Sequence, residues 1–272
     1  MYSLRISPDK LARMIDHTNL KPIATKKDIN KLCQEALEFN FAAVCVNSEH
    51  ISFCKEILKG SEVEIAAVVG FPLGASTPKT KETETQESIS YGAEEIDMVM
   101  DIGSFREGNY HAVGKDISKV IQAADGAIVK VILETGFLTD DQITKACQIS
   151  KGSGAHYVKT STGFGPMGAF IDHIDLMRKA VGKDLCVKAA GGIRTARTAV
   201  RLVNASADRL GASAGVAIVN QLAKIIDEGG WFYSSEDQPE DIYSWGAADP
   251  KKQPKDVYDF YMKKKEEYKR RE

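Results

Sequence analysis

Eight times along the chain a short apolar run, most of them rich in β-branched residues, is followed by a longer amphipathic stretch. The runs are MIDHT from Met14, FAAVCV from Phe41, EIAAVVG from Glu64, EIDMVM from Glu95, AIVKVIL from Ala127, HYVKTS from His156, LCVKAA from Leu185 and DRLGAS from Asp208. Successive runs lie roughly 25 to 30 residues apart, the length of one strand–helix–strand crossover. Eight such units close on themselves more naturally than they form an open doubly wound sheet, which usually has five or six strands. The expectation is an α/β fold: a (β/α)8 TIM barrel forming one domain over residues 1–235, with a charged, partly helical tail over 236–272.

The stretches between the runs carry apolar residues three and four apart, as at Ile29, Leu32, Cys33, Ala36 and Leu37, or Ile143, Ala146, Cys147 and Ile149. Thr25, Thr139 and Thr195 stand where helix N-caps are expected. A chain of 272 residues, 43% hydrophobic, can bury one sizeable core. Its formal charge of −2 gives no overall pull toward nucleic acid or a membrane. The five cysteines show no CxxC spacing and read as reduced thiols. Met1 to Asp16 has no continuous apolar leader, and no run approaches the ~18 residues of a membrane span. The expectation is therefore a cytoplasmic protein with a small-molecule substrate, no nucleic-acid or membrane partner, and self-association into a homodimer or higher homo-oligomer left open.

The tail from Gly229 is rich in Pro, Asp, Glu, Lys and Tyr and ends MKKKEEYKRRE. Acidic residues interrupt its basic run, so a solvated segment is favoured over an arm for RNA or another partner.

Charges inside the apolar runs need a reason, because a barrel strand is packed on both faces. An unpaired charge there costs several kcal/mol. Asp97, Lys130, Lys159 and Lys188 all sit toward the C-terminal half of their runs, the end where barrel enzymes carry their sites. One explanation is structural: a buried ion network, for instance Lys130 with Asp97 or Asp16, that closes the barrel. The other is chemical. A partly desolvated lysine beside a second positive charge has its pKa lowered, and the free amine attacks a carbonyl. With three lysines and few carboxylates expected to face them, the chemical reading is preferred. Lys159 is the candidate nucleophile because Thr160, Ser161, Thr162 and Gly163 follow it. Lys188 is then the charge that tunes it, and Asp97 the proton shuttle.

Barrel enzymes often bind phosphate at the loops after strands seven and eight. Here Gly191, Gly192, Ile193 and Arg194 follow the seventh run, and Gly211, Ala212, Ser213, Ala214 and Gly215 fall at the eighth. Glycine lets backbone N–H groups approach an anion, and Ser213 adds a hydroxyl. The five histidines form no ligand pattern, so no metal or organic cofactor is expected. His17, beside Asp16, is the least ordinary of them.

Taken together, IDHTNLKP, VCVN, VVGFPLGAS, GAEEIDMV, VKVILETG, VKTSTGF, VKAAGGIRT and RLGASAG resemble deoxyribose-phosphate aldolase, a Schiff-base aldolase family, from about Ile15 to Ile226. The resemblance implies reversible cleavage of 2-deoxyribose 5-phosphate to acetaldehyde and glyceraldehyde 3-phosphate without a cofactor. It implies Lys159 as the Schiff-base lysine, Lys188 as its tuning partner and Asp97 as acid/base. It places Gly163, Gly191, Gly192 and Ser213 at the phosphate, and Asp16, Thr18 and Lys130 at substrate hydroxyls or around the lysines. Cys45 matches a pocket-side position but reads more safely as core. Two departures stand out: Phe164 where some members have lysine, and Ala214 where some have a second serine. Some members also end in a tyrosine that enters the site, whereas this chain ends YKRRE, with Tyr258, Tyr261 and Tyr268 farther in. The alternatives are a phosphate-binding barrel isomerase or lyase with no covalent intermediate, and a non-catalytic barrel that serves as an interaction platform.

Overall fold

In the computed structural model, residues 6–229 are described, together with Lys255, Asp256, Asp259, Met262 and Lys263. Each of the eight apolar runs forms a strand: β1 (Ile15–Asn19), β2 (Ala43–Val46), β3 (Glu64–Val69), β4 (Glu95–Val99), β5 (Ile128–Ile132), β6 (Tyr157–Lys159), β7 (Cys186–Ala190) and β8 (Arg209–Ala212). All neighbours pair in parallel, and β8 returns to β1, closing the barrel.

The helices are α1 (Pro8–Ala12), α2 (Lys26–Phe39), α3 (Ile51–Ile57), α4 (Pro78–Tyr91), α5 (Ile102–Arg106), α6 (Tyr110–Ala123), α7 (Asp140–Gly152), α8 (Ile171–Val181), α9 (Ala196–Asn204) and α10 (Gly215–Asp227). The expected caps are in place. Thr25 and Thr139 each form a reciprocal capping box, with Asp28 and Gln142, and the Thr195 hydroxyl accepts from the Thr198 amide. The short α1 and α5 escaped the periodicity because five residues do not complete two turns.

The two-residue period of each strand sorts its side chains into two environments. Ile15, Val44, Val46, Ile65, Val69, Ile96, Met98, Val129, Val131, Val158, Val187 and Leu210 point outward into the main core under the helices. The alternate positions point into the barrel, where Ala43, Cys45, Ala66 and Val68 join Leu20 in a small separate apolar cluster. The remaining inward positions are mostly charged. Cys45 is thus a core residue, and all five cysteines are free thiols.

Most of the 236–272 tail, with Tyr258, Tyr261 and Tyr268, lies outside the described residues. Its five described residues are helical. Asp256 receives both its carboxylate bonds, at 2.8 and 3.0 Å, from Arg106 at the end of α5. Arg106 also donates to the carbonyl of Phe137 in the turn after β5.

Candidate active site

The inward positions of β1 and β4 to β8 build one buried ion cluster. Asp16, Glu95, Asp97, Lys130 and Lys188 are fully buried, and Lys159 is nearly so. Lys130 Nζ donates to Asp97 Oδ1 at 2.9 Å and to Glu95 Oε2, and lies 3.8 Å from Asp16. Arg209 closes the network, its guanidinium 2.6 Å from both Asp16 and Glu95 and 3.2 Å from half-exposed Glu64. Four cations therefore face three buried carboxylates.

Lys159 and Lys188 are direct partners in the β6–β7 register, so parallel pairing sets their amines side by side. Each donates to the same oxygen, Asp97 Oδ2, at 2.7 Å, and Lys188 also donates to Asp16. The expectation that few carboxylates face the lysines is corrected here. Asp97 sits between them, and Glu95 and Asp16 flank it. Nor are the network and the lysine pair alternatives, because one cluster contains both.

Burial alone pushes the Asp97 carboxyl upward, but Lys130, Lys159 and Lys188 outweigh it and hold the group well below the ordinary carboxylate range. Asp16 is depressed in the same way: Lys188, Lys130 and Arg209 overcome its burial. Burial favours a neutral Lys188, yet Asp16 and Asp97 keep its ammonium above the usual lysine value. Lys188 is therefore a fixed cation beside Lys159.

Above this cluster opens a cavity of about 260 Å³, lined by Lys159 at its floor and by Thr18, Lys21, Thr162, Gly163, Phe164, Gly191, Gly192, Arg194, Gly211 and Ser213, among others. Its charged lining residues, Lys21, Lys159 and Arg194, are all cationic. Gly163, Gly191 and Gly192 have φ of 85°, 92° and 75°, the left-handed region that glycine enters without strain. Among the described residues, none of the backbone N–H groups of Gly163, Gly191, Gly192 and Ser213 donates a hydrogen bond, so these donors are free to serve an anion.

The structure thus gathers Lys159, Thr18, Gly163, Gly191, Gly192, Gly211 and Ser213 around one cavity, with Lys188 and Asp97 directly beneath. Asp16 and Lys130 are not on the cavity wall. They belong to the ion cluster under its floor, as partners of the lysines. Gly211 has a second reason to be glycine: a β-carbon there would lie 3.0 Å from the Ala190 β-carbon and 3.3 Å from Lys188 Cε. His17 faces outward, bonded to Glu35 at 2.8 Å and packed on Phe41, so it takes a structural part. Phe164 is 52% exposed and meets Phe71 edge-on at 5.4 Å. Ala214 is the N-cap of α10 and makes no side-chain cap.

Sequence reasoning missed Arg209, Glu95, Lys21, Arg194 and Glu134. Arg209 and Glu95 fall inside the runs DRLGAS and EIDMVM, but near their N-terminal ends, away from the end where barrel enzymes carry their sites. Lys21 and Arg194 were visible as the only cations in their loops, LKP and GGIR. Glu134 follows β5 in an apparently ordinary ETG turn, but its carboxylate is buried and bonded to Thr162.

A parallel eight-stranded barrel with a buried ion cluster under an amide-lined mouth at the C-terminal ends of its strands is the architecture of a barrel enzyme. The model of the DeoC/LacD family aldolases matches residues 10–221, and the chain belongs to that family. The deoxyribose-phosphate aldolase of Aciduliprofundum boonei is 50% identical over 218 residues, 79% of this chain and 98% of that one. That of Lysinibacillus sphaericus is 53% identical over 212 residues, 78% and 95% of the two chains. Among solved structures, the deoxyribose phosphate aldolase of Aeropyrum pernix, described as a unique tetramer, superposes with a TM-score of 0.76 at 32% identity, covering 80% of this chain and 93% of that one.

Among the described residues no cluster of three His, Cys, Asp or Glu side chains is placed to hold a metal ion. No helix among them is long and apolar enough to cross a membrane.

Proposed function

We propose that this aldolase cleaves 2-deoxyribose 5-phosphate reversibly to acetaldehyde and glyceraldehyde 3-phosphate through a Schiff base on Lys159. The observation that carries the reading is the shared Asp97 oxygen: it ties the one lysine of the buried cluster that reaches the cavity to a second lysine held as a cation.

The steps follow from that geometry. The Lys159 amine adds to the substrate aldehyde carbon C1, and loss of water leaves an iminium. A base takes the proton of the C3 hydroxyl, the C2–C3 bond breaks, and its electron pair moves through C2 to neutralise the iminium nitrogen as an enamine. C3 leaves as the aldehyde carbon of glyceraldehyde 3-phosphate. The enamine is protonated at C2, and water hydrolyses the resulting iminium, releasing acetaldehyde and the free amine.

Lys130, Lys159 and Lys188 all donate to the one Asp97 carboxylate. Lys159 is the only one of the three lysines on the cavity wall. Asp97, hydrogen-bonded to both amines, relays protons through water between Lys159 and the substrate, while Lys188 keeps its charge. The free amides of Gly163, Gly191, Gly192 and Ser213, with Lys21 and Arg194, suit the doubly charged phosphate. The relatives named for this activity support the same substrate. Homo-oligomeric assembly in the cytoplasm belongs to this reading too, and light scattering of the purified chain tests the assembly.

The test is direct. The purified protein should generate acetaldehyde and glyceraldehyde 3-phosphate from 2-deoxyribose 5-phosphate, and Lys159→Leu should not. Isomerisation of the sugar phosphate without carbon–carbon cleavage would replace this reading with the acid/base alternative.

A further inference from the structure

We infer that Glu134, a residue that does not line the cavity, is the positioning residue that sets the Thr162–Gly165 loop, and with it the Gly163 amide, against the phosphate of the substrate. The inference rests on the aldolase reading above and adds a residue to its phosphate recognition.

Glu134 directly follows the short β5 extension that runs along β6. Leu133 N–H donates to the Lys159 carbonyl and Thr135 N–H to the Thr160 carbonyl, both at 2.9 Å, so the backbone on either side of Glu134 is fixed to the strand that carries Lys159. Glu134 itself adopts a left-handed conformation, φ 52° and ψ 61°, rarely used by a residue with a long side chain. Nothing in the turn chemistry of ETG demands that conformation of a glutamate, and strain of this kind collects where the surroundings dictate a side chain's direction.

The side chain crosses to the next loop. Its Oε2 accepts from the Thr162 backbone N–H at 3.1 Å and from the Thr162 hydroxyl. That hydroxyl oxygen in turn accepts the Phe164 N–H at 3.0 Å. The chain of bonds from Glu134 through Thr162 to Phe164 spans Gly163, whose own N–H is left free toward the cavity. Gly165 completes the clamp: a β-carbon there would stand 2.6 Å from the Glu134 carboxyl carbon, so the loop lies directly on the carboxyl group. The second oxygen, Oε1, is buried without a hydrogen-bond partner among the described residues. A fold assembled for stability alone has little use for such a group, because an unsatisfied buried acceptor costs about 1–3 kcal/mol. Burial pushes the carboxyl up to about 7, the Thr162 bonds and Lys159 opposing it only in part.

Three substitutions and two reactions test the assignment. Glu134→Leu keeps the bulk and removes the acceptor, whereas Glu134→Gln keeps an acceptor oxygen. Glu134→Leu should raise KM for 2-deoxyribose 5-phosphate by about tenfold or more while kcat falls less than about threefold. Borohydride trapping of acetaldehyde, which carries no phosphate, should proceed at the wild-type rate in the same variant. Glu134→Gln should restore KM to within about threefold of wild type. Thr162→Val keeps the backbone bond to Glu134 and removes the hydroxyl, and with it the second bond to Glu134 and the link to Phe164. It should show a smaller KM rise with the same dependence on phosphate, and it serves as the second test where Glu134→Leu does not fold. Equal losses in the two reactions, or no change in KM, would overturn the inference. Absence of acetaldehyde trapping in the wild-type protein would instead overturn the aldolase reading on which it stands.

Discussion

The barrel interior has two unlike halves. On the side of β2 and β3 it is filled by Ala43, Cys45, Ala66 and Val68 with Leu20, small apolar groups that only pack. On the side of β4 to β8, with Asp16 of β1, the same inward positions hold four cations and three carboxylates, nearly all out of water. Transferring so many charges from water is expensive even when they are paired, and apolar residues of similar volume are often no less stabilising. The contrast therefore separates what the fold requires from what the reaction requires. One half shows that such a barrel can be filled without charge, and the other carries charge because its strands end beneath the cavity.

Substitutions in the two halves should differ in kind as well as in size. Lys159→Leu stands at one extreme: steady-state turnover of 2-deoxyribose 5-phosphate should fall by ~10⁴-fold or more, the scale on which loss of a covalent nucleophile is felt. Circular dichroism should show the barrel intact, since Lys130 and Lys188 still compensate Asp97. Lys130→Met removes a buried cation that never reaches the cavity, leaving Glu95 with Arg209 alone and Asp97 with Lys159 and Lys188 only. Urea unfolding should register a loss of about 3–5 kcal/mol, with activity falling as well. In the apolar half, Val68→Ala should cost about 2 kcal/mol, yet leave kcat within about twofold. An equal loss of activity in Val68→Ala and Lys130→Met at matched stability would erase the distinction between the halves.

Two smaller effects sharpen it. The Glu134 carboxyl is raised from an ordinary 4.5 to about 7, so the folded state binds its proton more tightly than the unfolded chain does. Its contribution is complete below about pH 4.5 and is lost as pH rises through about 7. Glu134→Gln does not titrate, so thermal melts should show the variant gaining on wild type between pH 5 and 8, by on the order of 2 kcal/mol. A constant difference across that range would contradict the shift. Least of all should Asp256→Ala matter. Its pair with Arg106 is 57% exposed on the Asp256 side, and pairs of that kind contribute about 0–1 kcal/mol.

Much of this was legible before any coordinates. The eight strands were readable because β-branched runs recur at crossover spacing, and Thr25, Thr139 and Thr195 announced their helices. Lys159, Lys188 and Asp97 stood out because charge inside an apolar strand has few explanations. What the sequence withheld was register. That Lys159 and Lys188 are direct partners, and that Asp97 reaches both, depends on how neighbouring strands are staggered, which no local pattern encodes. The expectation of lysines with few facing carboxylates failed for the same reason. Glu95 and Arg209 stand near the N-terminal ends of their runs, away from the expected site, and only barrel closure brings them to the lysines. Glu134 was hidden because its partner lies 28 residues away in a loop of no fixed pattern.

The central claim is that one amine, Lys159, forms the covalent bond while the rest of the charged half serves it. Incubating the protein with acetaldehyde, reducing with borohydride and mapping the modified peptide by mass spectrometry tests it most directly. The account predicts a single irreversible adduct of one two-carbon unit on Lys159, absent from Lys159→Leu and slowed in Lys188→Leu. An adduct on Lys188 or Lys130 in the wild-type protein, or active enzyme that acquires none, would contradict it.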